Sequence, residues 1–403
     1  MNMKVKVCLI SSMHSLYDDR IYWKEALSLK NFGYDVYHLG VGETDKELTS
    51  EHGIKLIMAG KKKYFDNTYI DKLYRCLSFR KSIYRKLLKI ASDIKADVYH
   101  FHDLQINKIG RQLKNLQHKP KLIYDVHEDY PEMIMSYYPK KNLAWLTFKL
   151  YAYYIKVWEL SKSQLADFII AAYPSISNKF YHYNKNLKID VIYNYTNMYP
   201  ANNGDNRKIY DVIYIGAINR NRGAMEILKT ANYLKQKKKD IKFLFLGHIT
   251  DDKLKNEMQN YIDKNGLSDN IIIIGPVPYS EVSGYLNKSK IGVGIFMPTK
   301  IYFNAIQIKT FEYMIHGLPV VCSNFGYINK FVSDSKSGIP VNPDSPEEIG
   351  NAILKILSDK RLYQEYSRNG KKAVKEKYNW KIMEKKLLDI YSSVIKSKPG
   401  IYE

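Results

Sequence analysis

Cysteine is scarce and scattered: three in 403 residues, at Cys8, Cys76 and Cys322. They form no CxxC pair and no cluster with histidine, which excludes a disulfide framework and a structural zinc site and fits a reducing compartment. Long apolar runs are missing as well. A membrane-spanning helix needs about 20 mostly apolar residues, and the richest stretch, Leu143 to Leu160, is broken by Lys149, Lys156 and Glu159. The opening MNMKVKVCLIS holds only the short run Val7 to Ile10 with no small-residue cleavage site behind it. It reads as a first β-strand, not a signal peptide. Negative charge is also short: 41 Asp plus Glu stand against 63 Lys plus Arg, a formal net charge of +22. That excess suits nucleic acid, acidic lipid headgroups or a phosphorylated substrate, and equally a merely solvated lysine-rich surface. Apolar residues are plentiful at 45%, which supplies packed cores and excludes wholesale disorder.

Short apolar runs alternate with helical stretches along the whole chain. In the first half, strands are expected at Val5 to Ser11, Tyr34 to Gly40, Asp97 to Phe101, Lys121 to Val126, Asp167 to Ala172 and Asp190 to Tyr193. An amphipathic helix is expected from Asp19 to Asn31, with Ile21, Trp23, Ala26 and Leu27 turned inward and Gly33 past its end. The second half repeats the rhythm, with strands at Asp211 to Ile215, Lys242 to Gly247, Asn270 to Ile274, Ile291 to Phe296 and Leu318 to Cys322. Such alternation implies doubly wound parallel sheets, and two series of it imply two Rossmann-like domains, residues 1–198 and 209–378. The polar Tyr199 to Lys208 (YPANNGDNRK) is the expected linker, and 379–403 an expected helix returning to the first domain. Ligands of such sheets bind at the carboxyl ends of the strands, so two facing domains would hold a substrate in a cleft.

The most informative stretch is Phe303 to Val321, FNAIQIKTFEYMIHGLPVV. A polar loop enters a helix that carries Lys309 and Glu312, and Gly317 and Pro319 end it. Unpaired amides at a helix N-terminus suit a diphosphate. Lys309 in the first turn opposes the helix dipole, a poor choice for stability and a better one for an anion. Glu312 could accept hydrogen bonds from a ribose diol. Read as bare sequence, the same stretch is also an ordinary glycine-terminated helix with both charges solvated. Upstream, DVIYIGAINRNRGAMEILKTA (Asp211 to Ala231) ends a strand at Gly216 in a loop bearing Arg220 and Arg222, groups suited to bidentate phosphate contacts.

These two stretches resemble the donor-binding motifs of the retaining glycosyltransferase family four, a GT-B family. There two glutamates flank seven residues ahead of a Gly-x-Pro-Val turn, and a basic pair neutralises the donor diphosphate. Glu312 matches the second glutamate, while Asn304 stands at the first, a departure that bears on the choice of donor sugar. Arg222 takes the usual lysine position. The usual arginine after the first glycine is Ala217 here, which makes Arg220 the expected substitute. Gly247 in FLFLGH and the loop of DNIIIIGPVPYSEVSGYL, whose backbone to Pro278 is expected to contact the base, extend the resemblance, as do SGIPVNPDSPEEIGNAI and YNWKIMEKKLLDIY. In the first half, YDVHEDYPEM places His127 and Glu128 after a strand, and His127 matches a histidine that contacts the donor sugar near the reacting carbon. A positioning role is expected for it, with proton transfer left open.

YHFHD ends another strand and makes His102 and Asp103 acceptor-side candidates. The loop SMHSLYDDR stands in place of the family's glycine pair. Its His14, Asp19 and Arg20 either mark an acceptor subgroup, or Asp18 or Asp19 simply caps the next helix. No general pair of catalytic carboxylates is visible, in keeping with the family's retaining reaction. No Asp-x-Asp motif precedes the donor loops, so metal independence and no cofactor beyond the nucleotide-sugar, UDP-linked by default, are expected. Two segments could rest on anionic lipid: the basic, aromatic-laced Lys61 to Lys89, and Tyr137 to Trp158. A solvated basic face or a packed helix would account for the same residues. The resulting expectation is a cytoplasmic, peripherally membrane-bound transferase acting on a lipid-linked glycan of surface polysaccharide. A GT-B epimerase or phosphorylase, and a basic nucleic-acid-binding protein, are the competing readings. The last lacks a recognisable nucleic-acid module.

Overall fold

The computed structural model describes residues 4–61, 81–136, 145–197 and 207–396. The chain divides into two units, Met1–Asn194 with Met383–Glu403, and Tyr195–Ile382. Residues 199–206 of the expected linker, 62–80 of the basic segment and 137–144 of the aromatic one lie outside the described residues.

The first unit holds β1 (Lys6–Ile10), β2 (Asp35–Gly42), β3 (Lys46–Thr49), β4 (Lys55–Gly60), β5 (Val98–Phe101), β6 (Lys121–Val126), β7 (Phe168–Ala171) and β8 (Ile189–Val191). Their order is β3-β4-β2-β1-β5-β6-β7-β8. Every pairing is parallel except β3 with β4. Helices on both faces bury such a sheet, so its strands read as unbroken apolar runs, and all four residues of β5 are buried. The polar KELT of β3 escapes that rule because it lies at an edge and is largely exposed.

The second unit holds β9 (Tyr210–Ile215), β10 (Phe243–Leu246), β11 (Ile271–Ile274), β12 (Ser289–Gly294), β13 (Val320–Ser323) and β14 (Gly338–Val341), in the order β11-β10-β9-β12-β13-β14. All five pairings are parallel. Its core joins Tyr214, Phe243, Phe245, Ile291 and Val293 of the sheet to Leu228, Met258 and Ile353 of the covering helices. The helix Pro346–Ser358 starts as its sequence dictates: the Ser345 hydroxyl accepts from the Glu348 amide at 3.1 Å, and proline occupies the first turn.

The two strand orders fix where ligands can approach. Chain direction across the sheet reverses between β1 and β5 in the first unit and between β9 and β12 in the second. Crevices open at such switch points, beyond the carboxyl ends of the strands. His14 and Arg20 follow β1, and His102 and Asp103 follow β5. Gly216 and Arg222 follow β9, and Asn304 follows β12.

One expected helix differs in kind. Ile21–Ala26 is a turn of π-helix, continued by an α-helix over Leu27–Phe32 that ends at Gly33 with φ +110°. Trp23 is exposed, whereas Lys24 and Glu25 are buried. Ile21 and Ala26 are buried as expected, and ion pairing takes Lys24 and Glu25 inside beside them. Lys24 Nζ donates to Asp19 Oδ2 at 2.6 Å and to Asn194 Oδ1 at 2.7 Å, so its charge is satisfied inside. The terminal helix Trp380–Lys396 starts in the second unit and ends in the first, where Tyr391 is fully buried and its hydroxyl lies 2.9 Å from His100 Nδ1.

Candidate active site

In the second unit the elements after β9 and β12 bring two cations to one point. Gly216 takes φ +105°, a region that favours glycine, and carries no side chain over the strand end. A Cβ there would lie 3.5 Å from Lys309 Nζ and 3.8 Å from Arg222 Nη1. Arg222 sits in a short 3-10 turn capped by Asn219, whose Oδ1 accepts from the Arg222 amide at 3.0 Å. Its Nε reaches the Tyr302 hydroxyl at 3.3 Å, linking the β9 loop to the short helix Lys300–Asn304 beyond β12. Lys309, in the first turn of the helix Ile308–Ile315, is buried, with Nζ 3.8 Å from the centroid of the Tyr214 ring. That Nζ has no hydrogen-bond partner among the described residues. Burial, and then the nearby Arg222 charge, push the Lys309 amine well below its usual range, with Glu312 opposing.

Glu312 is buried one turn further on, and its Oε1 accepts from the Tyr279 hydroxyl at 2.7 Å. Pro278 caps the helix Tyr279–Asn287 that supplies this tyrosine. Gly247 has φ +148°, and a Cβ on it would meet the Gly216 carbonyl oxygen at 2.1 Å. The loops after β9 and β10 therefore pack backbone to backbone. Asn304 closes its short helix and donates to the Lys300 carbonyl at 3.3 Å. Arg220 is placed differently: Glu257 engages its guanidinium through both oxygens, and its side chain is 46% exposed. So Gly216, Arg222, Lys309 and Glu312 come together, and Arg220 is taken up by a neighbouring helix.

In the first unit the residues after β1, β5 and β6 build a dense cluster around His127. The His127 side chain is 11% exposed, with Nε2 3.4 Å from Asp125 Oδ2 and 3.3 Å from His102 Nδ1. The His14 ring stands edge-on to it, centroids 5.1 Å apart. His14 Nδ1 lies 3.0 Å from Asp18, and Nε2 lies 3.4 Å from Asp103. Burial works against a charge on His14, but the Asp18 hydrogen bond and the Asp103 and Asp18 carboxylates raise its pKa. Asp18 is the capping residue, accepting from the amides of Arg20 and Ile21. Asp103 folds the loop from beneath, with Oδ2 accepting from the Ser11 hydroxyl and the amides of Ser12 and Met13. Asp19 pairs with Lys24, and Glu128 is exposed.

Beneath His127 lies a layer that the sequence reading passed over. Glu25, His100, His102 and Asp125 are all buried and offer ligand atoms within 4.8 Å of one another. By residue type they could hold a divalent cation. Arg20 already takes the cationic place: its Nη2 donates to both Asp125 oxygens at 3.0 and 2.8 Å, and its Nε lies 2.9 Å from Glu25. Burial tends to raise the Asp125 pKa, but Arg20 and His127 hold it well below the usual carboxylate range. Burial and the Asp125 charge push Glu25 well above it. Arg20 thus compensates the buried Asp125 charge, and the raised Glu25 pKa favours its neutral form. The one signal for Asp125 in the sequence was its spacing: two residues before His127 on the same strand is the same face.

Residues 198–373 match the family described as glycosyl transferases group 1. An uncharacterized glycosyltransferase of Methanocaldococcus jannaschii is 22% identical over 84% of this chain and 75% of its own. Among solved structures, sucrose-phosphate synthase from Thermosynechococcus elongatus has a TM-score of 0.72 at 17% identity, covering 98% of this chain and 100% of that one. The Anabaena protein HepE, in complex with UDP and glucose, has a TM-score of 0.71 at 12% identity, covering 96% of this chain and 100% of that one. The expected architecture, GT-B with two Rossmann-like parallel-sheet domains, is the one these likenesses share.

Proposed function

We propose that this chain, a GT-B protein whose residues 198–373 belong to the glycosyl transferases group 1, moves a sugar with retention from a UDP-sugar to a lipid-linked glycan in surface-polysaccharide synthesis. The matched domain supports glycosyl transfer, and donor, stereochemistry and acceptor go beyond it. The observation that carries it is the convergence of Arg222 and the unpartnered Lys309 over the bare Gly216. Two cations beside a helix N-terminus form a receptor for a diphosphate and need no divalent ion to neutralise it. Glu312 would exchange the Tyr279 hydroxyl for the ribose diol, and the presence of UDP in the HepE complex favours uracil as the base.

In the reaction the bond from the anomeric carbon to the diphosphate oxygen breaks, and its electron pair stays on that oxygen, held by Arg222 and Lys309. The acceptor hydroxyl oxygen bonds to the anomeric carbon on the same face. Its proton passes to the leaving phosphate oxygen. His127 steadies the sugar as positive charge develops on the ring. No helix among the described residues is long and apolar enough to cross a membrane. Contact with a bilayer would fall to the helix Trp145–Ser163, on which Leu146, Leu150, Tyr153, Tyr154 and Val157 are exposed.

A thermal-shift panel of sugar nucleotides, followed by product analysis with the best binder, tests the reading. The expected result is stabilisation by a UDP-sugar, release of UDP only when acceptor is present, and turnover that survives a chelator. Absence of any nucleotide-sugar binding would remove it. UDP release without acceptor transfer would favour an epimerase or hydrolase.

A further inference from the structure

Asp125 is not a surface acid that happens to lie near a histidine. It sits at the carboxyl end of β6, fully buried, and Arg20 grips both of its oxygens at 2.8 to 3.1 Å. Arg20 is itself anchored, with Nη1 donating to the Ile192 carbonyl at 3.0 Å next to β8. The carboxylate therefore cannot swing away, and its Oδ2 is held 3.4 Å from His127 Nε2. A neutral imidazole carries one N–H, so two arrangements are available. In one, Nε2 carries the hydrogen and donates inward. In the other, Nε2 accepts from His102 Nδ1 at 3.3 Å and turns a lone pair toward the Asp125 carboxylate. The fixed negative charge decides between them, since a lone pair facing a carboxylate is repelled and an N–H is attracted.

We propose that Asp125, fixed by Arg20, is the positioning residue of His127: it takes the Nε2 hydrogen and so leaves Nδ1 as the acceptor presented to substrate. Burial and the Asp125 charge favour the neutral form of Glu25, whose Oε1 lies 2.9 Å from Arg20 Nε. A second buried carboxylate beside Arg20 would compete for the same guanidinium and loosen its hold on Asp125. The proposal rests on the reading of His127 as the group that meets the donor sugar. Every charged or titratable group around His127 bears on its protonation: Asp125 below it, His102 and Asp103 from the end of β5, His14 and Asp18 from the loop after β1, and the adjoining Glu128. Arg20, Glu25 and His100 form the layer behind.

Two measurements test it. Long-range ¹H–¹⁵N spectra of histidine-labelled protein report the tautomer of each ring, and His127→Gln identifies the signal. The expected form is Nε2–H; an Nδ1–H ring overturns the proposal, with no variant of Asp125 required. The second compares Asp125→Asn with Glu25→Gln in steady-state kinetics on the best UDP-sugar. Asp125→Asn should lower kcat about tenfold or more, as expected for a lost orienting group, with donor KM and UDP affinity unchanged. Glu25→Gln, which leaves the Asp125–His127 contact in place, should lower kcat less than Asp125→Asn does. A loss of active protein with kcat per folded molecule unchanged overturns the role. If the wild type turns over no sugar nucleotide, the proposed function fails while the tautomer still decides this inference.

Discussion

At the scale of single residues, the donor site shows why a loop arginine and a helix lysine exchange the roles their sequence positions imply. Arg220 lies in the loop where a phosphate-binding arginine is expected, yet a carboxylate 37 positions on takes both arms of its guanidinium. Lys309 lies where the helix dipole disfavours it, and burial strips it of partners. Burial and the Arg222 charge favour the neutral form of this amine, with Glu312 opposing, and a diphosphate beside it favours the charged form. UDP binding should therefore be accompanied by proton uptake above the pKa of the free amine, and affinity should fall as pH rises from that value toward the Lys309 pKa of the complex. Calorimetry in two buffers of different ionisation enthalpy counts that proton. Lys309→Met should abolish the uptake and weaken UDP about tenfold or more, the worth of a charged hydrogen bond in a buried site. Arg220→Ala should stay within about twofold, since an exposed ion pair contributes little. Equal losses from the two variants would put the diphosphate elsewhere. The motif made Glu312, Arg222 and Lys309 legible in the sequence. The turning away of Arg220 was not, because it depends on Glu257, a residue of another element.

Elements were legible where burial leaves a simple pattern and obscure where polar groups go inside. A strand such as β10 is apolar on both faces because helices cover both, so a short run of Phe and Leu marks it. The edge strand β3 and the short β14 carry no such run and escaped notice. The π-turn Ile21–Ala26 escaped for the opposite reason: Arg20, Lys24 and Glu25 have the look of a solvated face and are buried by mutual pairing. The helix Trp145–Ser163 reverses the argument again. Its aromatic run reads equally as a packed helix, yet Leu150 is 62% and Tyr153 67% exposed, and Leu146, Tyr151, Tyr154 and Val157 share that exposure. Lys149 and Lys156 are exposed among them, while Glu159, the helix's one acid, is buried against Lys179 and Tyr124. An apolar, aromatic, cationic surface matches an anionic bilayer. Flotation should recover the protein with vesicles containing phosphatidylglycerol and not with phosphatidylcholine alone, and Leu150→Ser with Tyr153→Ser should release it without changing UDP affinity. Equal recovery with both lipids would remove the electrostatic part of the argument.

For the whole molecule, buried histidines make the two units respond unequally to acid. Burial lowers His38 to about 4 and His100 to about 3, and holds His102 well below the ordinary 6.5, all three in the first unit. The second unit has one comparable group, His316, also lowered to about 4 by burial. The sign follows from which state binds more protons. Between the folded values and 6.5 the unfolded chain carries protons on these rings and the folded chain does not, so stability is intact above pH 6.5 and declines as pH falls toward the folded pKa. A shift from 6.5 to about 4, as for His38, amounts to about 3 kcal/mol once fully expressed. That is a large share of a typical domain's ~5–15 kcal/mol, and the first unit carries three such liabilities. Asp125 keeps its Arg20 pair until far lower pH, whereas Glu25 and His14, whose pKa values are raised in the fold, bind protons more readily folded than unfolded and offset part of that loss. Urea unfolding followed by pulsed hydrogen exchange resolves the units by peptide. Between roughly pH 7.5 and pH 5, the midpoint for peptides of β1, β5 and β6 should fall further than that for β9, β10 and β12. His38→Asn, whose amide can still donate to the Leu16 carbonyl that His38 Nδ1 approaches at 3.0 Å, should reduce the difference. Parallel displacement of both sets of peptides would mean that the three rings take up their protons without unfolding the sheet around them.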